Sequence, residues 1–345
     1  MATPREIEAM RRAIALARES RIPDGPNPRV GCVLLGRDGS VLGEGAHQGA
    51  GTPHAEVEAI AAAGALGPGA TAVVTLEPCH HQGRTGPCSE ALIAAGVARV
   101  VFAQSDPHAI AAGGAARLSA AGVDVEGGVL AEEAAGLNEA WTFAVTHGRP
   151  WVTLKVAASL DGRVAAADGT SRWITGDQAR AQVHDLRGEV DAIAVGSGTV
   201  SIDDPQLTAR DGAGELLPHQ PMRVVVGMRG IPSQARVADD AAPTLHVRTH
   251  DPAAVLAALA EREVRHLLLE GGPTLSAAFL RAGLVDDLVW YVAPLMLGAG
   301  RPAVGDLGIP TIADGLRLTE VRVDQVGEDA RIRGRIVPAP RIQGG

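Results

Sequence analysis

The chain has 345 residues, a formal net charge of -9 and a pI near 5.7, with 46% hydrophobic, 21% charged and only 2% aromatic residues. That length suits two domains that each bury a core, and no apolar run is long enough to cross a bilayer. The acidic balance counts against a nucleic-acid binder, which usually carries a basic face.

The N-terminal 20 residues mix Arg and Glu and lack the apolar core of a signal peptide, so a cytoplasmic location is expected. Three cysteines, Cys32, Cys79 and Cys88, are too few and too odd a set for a disulfide framework.

In chain order, residues 5–20 carry an Ile7, Met10, Ile14 stripe and predict a helix. Apolar runs over 30–35 and 41–45 flank Gly36-Arg37-Asp38-Gly39 and predict a hairpin. A helix is predicted over 54–64, a strand over 72–76, a helix over 89–96 capped by Ser89, and a strand over 97–103. Residues 117–122 read as a helix end and 123–125 as a strand. This β-β-α-β-α-β order is an α/β layer pattern. The breaker-rich stretch 147–150 is the expected domain boundary. Beyond it, strands are predicted over 151–157, 192–195, 223–226, 244–247, 266–269 and 287–292. Helices are predicted over 177–186, 252–261 and 275–281. Residues 318–337 alternate like a terminal antiparallel hairpin, and 211–220 and the last several residues read as mobile loop and tail.

The densest chemistry lies in His54-Ala55-Glu56, Pro78-Cys79 and Pro87-Cys88. One His and two Cys supply three zinc ligands and leave the fourth tetrahedral position open, the mark of a catalytic site. His54 and Cys88 fall at predicted helix starts, where the helix dipole favours thiolate over thiol. Glu56 is left free to move protons. Zinc nucleobase deaminases divide the labour this way. The eight residues between the two cysteines make a loop beside the metal, with His80, Arg84 and Thr85 suited to a polar or anionic substrate. Asn27, held between Pro26 and Pro28, is a rigid amide able to pair with a ring edge, although a plain turn reads the same way. His47 fits either a pocket or a surface.

These residues, with Pro26–Gly31, Thr75–Cys79 and Gly83–Cys88, resemble the bifunctional deaminase–reductase family of riboflavin biosynthesis. The resemblance continues through Lys155–Gly162, Ser171–Thr175, Thr199–Arg210, Glu270–Leu275 and Ala293–Gly298, nearly the full length and in family order. Gly86, where the family usually has Pro, and His80-His81-Gln82 depart from its pattern. The resemblance implies an α/β chain: a cytidine-deaminase-like three-layer domain over 1–147 and a dihydrofolate-reductase-like domain over 151–338. It implies Zn²⁺ and NADPH as cofactors and a phosphorylated pyrimidine as substrate.

From the residues alone, Glu270-Gly271-Gly272-Pro273 after an apolar strand is a weak anion-binding signal at a helix start. A standard dinucleotide fingerprint is absent from this half. The resemblance adds NADP contacts at Ala157, Trp173, Thr199, Asp203, Gly272, Pro273, Thr274 and Leu275. It adds substrate contacts at Ser171, Arg187, Leu207, Arg210 and Glu270. Arg187 and Arg210 could then clamp the ribose phosphate, and Asp203 and Glu270 are candidate proton donors. The family also suggests a homo-oligomer, with the apolar stretch 289–297 pairing across an interface. A nucleic-acid base deaminase with an appended domain, a zinc scaffold or assembly partner without activity, and a protein active in only one of its two halves are the rival readings.

Overall fold

Thr3 opens the first helix with a capping box: its hydroxyl accepts from the Glu6 amide at 3.3 Å, and the Glu6 carboxylate accepts from the Thr3 amide at 2.7 Å. The structure, a computed structural model, describes residues 1–20, 22–83, 85–108 and 111–337. The chain forms two compact units, Met1–Gly148 and Arg149 onward.

The first unit runs α1 (Pro4–Glu19), β1 (Gly31–Leu35), β2 (Val41–Ala46), α2 (Ala55–Ala63), β3 (Thr71–Leu76), α3 (Cys88–Ala94), β4 (Arg99–Gln104), α4 (Gly114–Ala120), β5 (Asp124–Glu126), α5 (Ala131–Ala135) and α6 (Glu139–His147). Its sheet has the order β2-β1-β3-β4-β5. Alternation along β1 sorts the layers. Val33 and Leu35 pack with Met10 and Ile14 of α1, whereas Cys32 and Leu34 pack with Ala55 and Ala59 of α2 and Leu92 of α3. Helices on both faces make the three layers that the resemblance implied.

Helix-to-sheet distance is set by glycine. A Cβ on Gly31 would lie 2.0 Å from the Ala13 carbonyl oxygen of α1. A Cβ on Gly45 would lie 2.3 Å from the Ala55 carbonyl oxygen of α2. Both helices rest directly on backbone.

The second unit runs β6 (Trp151–Ser159), α7 (Asp177–Glu189), β7 (Ala192–Gly196), α8 (Ser197–Asp203), β8 (Met222–Val226), β9 (Thr244–Val247), α9 (Pro252–Ala260), β10 (His266–Leu269), α10 (Pro273–Arg281), β11 (Asp287–Ala293), β12 (Arg317–Val326) and β13 (Asp329–Val337). Its eight strands have the order β12-β13-β11-β6-β10-β7-β8-β9. The six from β11 to β9 are parallel, so their carboxyl ends share one edge. One face is covered by Val255, Leu256 and Leu259 of α9 and Phe279 of α10. The other is covered by Val200 of α8 and by Ala179 and Val183 of α7.

Three expectations change. Ser89 does not cap a helix: α3 starts at Cys88 with Pro87 in the cap position, and Ser89 is buried. The stretch 289–297 is not an interface strand. β11 ends at Ala293, and both of its edges are taken, by β6 and β13. Helices α5, α6 and α8 had no counterpart in the sequence pattern. In α6, Asn138 stands at the cap position, but its side chain is spent elsewhere. It accepts from the Arg29 amide at 2.7 Å and donates to the Arg29 carbonyl at 2.9 Å.

Gly31→Ala should destabilise the first unit by about 1–3 kcal/mol, the usual cost of overpacking. Hydrogen exchange should quicken at β1 and β3, with the β6–β10 ladder of the second unit as the internal control.

Candidate active sites

In the first unit, α2 delivers His54 from its N-cap position, the segment after β3 delivers Cys79, and α3 delivers Cys88 as its first residue. Their ligand atoms lie within 4.8 Å of one another. His54 Nδ1 is 3.1 Å from Cys88 Sγ and 3.6 Å from Cys79 Sγ. A tetrahedral zinc with ordinary bond lengths sets neighbouring N and S ligands about 3.6 Å apart, so this donor set fits that metal. Thr85 Oγ1 sits 3.1 Å from His54 Nε2. With Nδ1 turned to the metal, Nε2 carries the proton and donates it to Thr85, an outer-shell bond that fixes the ring. The Cys88 amide donates to Cys79 Sγ at 3.4 Å. Hydrogen bonds from Cys88 and His54 hold the Cys79 thiol down to about 4, so it is a thiolate.

Glu56 lies in the first turn of α2 and is 3% exposed. Burial, reinforced by the nearby Cys79 thiolate, raises its carboxyl above the ordinary range. A carboxyl poised in this way can both take and return a proton. His47 is a pocket residue: it is 2% exposed, and its ring meets that of His54 edge-on, centroids 5.2 Å apart. His47 Nδ1 lies 3.0 Å from the Pro53 carbonyl, which it donates to, leaving Nε2 to accept from Asn27 Nδ2 at 3.1 Å. Asn27 is thereby oriented. Trp141 of α6 donates to the Pro26 carbonyl at 3.1 Å and holds the same segment. His80 Nδ1 pairs with Ser89 Oγ at 2.9 Å. Arg84, expected to contact substrate, lies outside the described residues.

In the second unit the carboxyl edge of the parallel strands gathers most of the expected residues, the position at which open α/β sheets bind ligands. Gly272 caps α10 without a side chain, and a Cβ there would lie 3.3 Å from Thr199 Oγ1 of α8. The amides of Thr274 and Leu275 begin that helix, where an anion is favoured. Ser171 donates to Asp203 at 3.4 Å. Trp173 is 69% exposed, with the Arg180 guanidinium 4.5 Å from its ring centroid. Ala157 also lies toward the carboxyl end of β6, opposite Tyr291 and three residues past Leu154, which pairs with the last residue of β10. Leu207 is 3% exposed and packs with Val195, Val200 and Val225, so its side chain is core.

The two arginines are not free clamps. Arg187 binds Glu270 in fork geometry, Nε to Oε1 at 2.6 Å and Nη2 to Oε2 at 3.0 Å, and its Nη1 donates to the Thr208 carbonyl at 3.2 Å. Arg210 donates to Thr208 Oγ1 at 3.2 Å, to the Gly214 carbonyl at 2.6 Å and to Gln206 at 2.7 Å. Lys155 Nζ stands 3.7 Å from Glu270 Oε2, and His184 Nδ1 is 3.1 Å from the Thr208 carbonyl. The sequence pattern assigns no role to Lys155, His184 or Thr208. Lys155 carries a signal, as a lysine at the head of a motif in a chain whose cations are otherwise arginines; the other two carry none. Burial works to raise the Glu270 pKa, but Arg187 and Lys155 outweigh it and hold the carboxyl down to about 2. Glu270 is therefore ionised and is no proton donor.

Residues 150–332 match the RibD C-terminal domain family, and residues 4–104 match the cytidine and deoxycytidylate deaminase zinc-binding region. A riboflavin biosynthesis protein RibD of Mycobacterium tuberculosis is 50% identical over 323 residues, 93% of this chain and 95% of that relative. The Escherichia coli RibD is 41% identical, covering 93% of this chain and 96% of its own. Among solved structures, Acinetobacter baumannii RibD superposes with a TM-score of 0.89 at 39% identity, covering 96% of this chain and 99% of that one. A Thermotoga maritima diaminohydroxyphosphoribosylaminopyrimidine deaminase/5-amino-6-(5-phosphoribosylamino)uracil reductase superposes at 0.82 with 32% identity and the same coverage.

Glu270→Gln leaves two cations buried without their carboxylate and should cost about 3–5 kcal/mol in the second unit. The folded-state pKa is depressed, so the stabilisation is complete above the ordinary value of 4.5 and is lost as pH falls toward about 2. Urea unfolding of wild type and variant between pH 7 and pH 2 should show the two converging at the acid end.

Proposed function

This chain belongs to the RibD family of riboflavin biosynthesis proteins and carries that family's deaminase and reductase domains, and from that premise we propose its substrates and the residue that does each task. The deaminase is zinc-dependent and the reductase uses NADPH. The first unit hydrolyses the 2-amino group of 2,5-diamino-6-(5-phosphoribosylamino)pyrimidin-4(3H)-one. The second reduces the ribosyl group of 5-amino-6-(5-phosphoribosylamino)uracil to ribityl. The observation that carries this reading is the convergence of His54, Cys79 and Cys88 beside buried Glu56.

Zinc held by His54, Cys79 and Cys88 supplies Lewis acidity that brings a water toward ionisation near neutral pH. Glu56 accepts a proton from the attacking water. It returns protons to the ring nitrogen and to the departing amine, so the C–N bond breaks as ammonia leaves and a carbonyl remains. Asn27, aligned by His47, pairs with the ring edge. His80 and Thr85 belong to the loop over the substrate, with Thr85 also holding the His54 ring, and Arg84 is assigned as a further substrate contact.

NADPH supplies the hydride for the second reaction. The carbon that would be reduced is C1′ of the ring-opened or imine form of the ribose. The residues of the second unit bind and orient. Gly272, Pro273, Thr274 and Leu275 seat the pyrophosphate at the start of α10, with Thr199 and Asp203 alongside and Ala157 and Trp173 toward the nicotinamide. Ser171, Leu207, Arg187, Arg210 and Glu270 define the substrate side. Leu207 acts through its main chain, since its side chain is core. Arg210 reaches a substrate phosphate by exchanging its bond to the Gly214 carbonyl. Arg187 positions the Glu270 carboxylate against Lys155.

The protein is further assigned as a homo-oligomer, dimer or tetramer, and as cytoplasmic. β12 is an edge strand with Val321 and Val323 52% and 66% exposed, an apolar edge suited to burial against a second copy. All three cysteines are free, in keeping with a reducing compartment. Val323→Lys should lower the mass measured by light scattering to that of a monomer; an unchanged mass assigns the interface elsewhere.

Mass spectrometry of the diamino substrate with zinc-loaded protein should show replacement of NH by O without NADPH, then a gain of two hydrogens with it. Glu56→Gln should slow the first change by about 10²–10⁴-fold or more and leave bound zinc and the reductase rate on authentic uracil substrate intact. Normal deamination by that variant would refute the role given to Glu56.

A further inference from the structure

Thr208 and Arg210, on the substrate side of the second unit, flank Ala209, whose side chain is fully buried. The main chain of Ala209 pairs with one side chain. Its amide donates to Gln220 Oε1 at 2.9 Å, and Gln220 Nε2 donates back to its carbonyl at 2.8 Å. A primary amide holds both an acceptor and two donors, so it can answer a backbone N–H and C=O together. Gln220 Nε2 also donates to the Leu217 carbonyl at 2.8 Å, and the Leu217 amide donates to the Ala209 carbonyl at 3.1 Å.

Gln220 is itself anchored to the sheet. Pro221 after it is buried and has one fixed backbone angle. Met222, which opens β8, is in register with Ala192 of β7, and its amide donates to the Asp191 carbonyl at 2.8 Å. Leu217 rests on α7: a Cβ on Gly188, the residue after Arg187, would lie 2.9 Å from Leu217 Cδ1. The stretch 211–220, expected to be a mobile loop, closes on itself. The Asp211 amide donates to the Glu215 carbonyl at 2.9 Å, and the Asp211 carboxylate accepts from the amides of Ala213 and Glu215, each at 2.9 Å. This turn presents the Gly214 carbonyl that holds Arg210.

We propose that Gln220 is a positioning residue for the reductase substrate. It fixes the main chain of Ala209 and thereby the two neighbours that serve the site, the Thr208 carbonyl that receives Arg187 and His184 and the guanidinium of Arg210. Loss of the Gln220 amide leaves buried main-chain groups of Ala209 without that partner, and the 207–210 segment then takes up its binding arrangement for only part of the time. Apparent affinity falls by that fraction. The inference rests on the assignment of Arg210 to the substrate phosphate given above.

The test is steady-state kinetics of the full chain on 5-amino-6-(5-phosphoribosylamino)uracil at saturating NADPH. Gln220→Met keeps the length of the side chain and removes the amide. It should raise KM about 10-fold, while kcat, the NADPH dissociation constant and the deamination rate stay as in wild type. A merely structural role acts differently, because a smaller folded fraction lowers kcat and leaves KM alone. Gln220→Asn keeps the amide on a shorter stem and should show a smaller rise in KM; it carries the test if the Met variant folds poorly. Unchanged KM in both variants, or a fall in kcat alone, overturns the proposal. Arg210→Ala separates the two readings. If it raises KM and the Gln220 variants do not, the phosphate assignment stands and the role of Gln220 fails. If it leaves KM unchanged while Gln220→Met still raises it, the phosphate assignment fails and Gln220 stands as the positioning residue of Thr208.

Discussion

Backbone-to-backbone contact between helix and sheet is the constraint on which the zinc centre depends. α2 lies on β2 through Gly43 and Gly45, where a Cβ would come 2.4 and 2.3 Å from carbonyl oxygens of the helix. Gly114 opens α4 so close to the Pro78 carbonyl that a Cβ would lie 1.7 Å away. These approaches place the His54 end of α2 and the Cys79 turn against the start of α3. Three ligands from three elements then meet without any long side chain having to reach. The ligands are short and their rotamers few, so the pocket is organised at little entropic cost on metal binding.

The second unit is organised by charge. Glu270 sits at the end of β10 with Arg187 from α7 and Lys155 from β6. Desolvation opposes all three charges, and only their mutual geometry offsets it. The fork between Arg187 and Glu270 satisfies four polar atoms, and Thr208 gathers the remaining donors of Arg187 together with those of His184 and Arg210. The cluster ties the loop after α8 to the strand ends. It also keeps a carboxylate and a lysine facing one another at the carboxyl edge of the sheet, and the same desolvation makes each of the three groups sensitive to removal of its partners.

Both halves use the same device at different scales. Functional groups stand at element ends, and neighbouring elements pin those ends. In the first unit the pins are buried hydrogen bonds: Asn138 to the main chain of Arg29, Trp141 to Pro26, and Ser89 to His80. In the second they are close glycine approaches such as Gly272 on Thr199 and Gly227 on Ser197. Loop residues that would otherwise sample many conformations are thereby held for binding.

What the sequence determined by itself was local and chemical. The His-x-Glu, Pro-Cys and Pro-Cys run named a zinc-ligand set because ligand chemistry needs particular residue types, and apolar runs over 30–35 and 287–292 named strands because a strand buried on both faces is apolar at successive positions. The family resemblance extended this across the second half. Long-range pairing could not be read from those patterns. Ser89 looks like a cap until Pro87 takes that position and His80 takes the hydroxyl; 289–297 looks like an open edge until β6 and β13 occupy both sides; Arg187 and Arg210 look like free cations until Glu270, Thr208 and Gly214 claim their donors. Only the tertiary structure decided these, because each depends on a partner tens of residues away or on main chain brought near by the turn of a loop, and a hydrogen-bond donor looks the same in sequence whether it faces a ligand or its own fold.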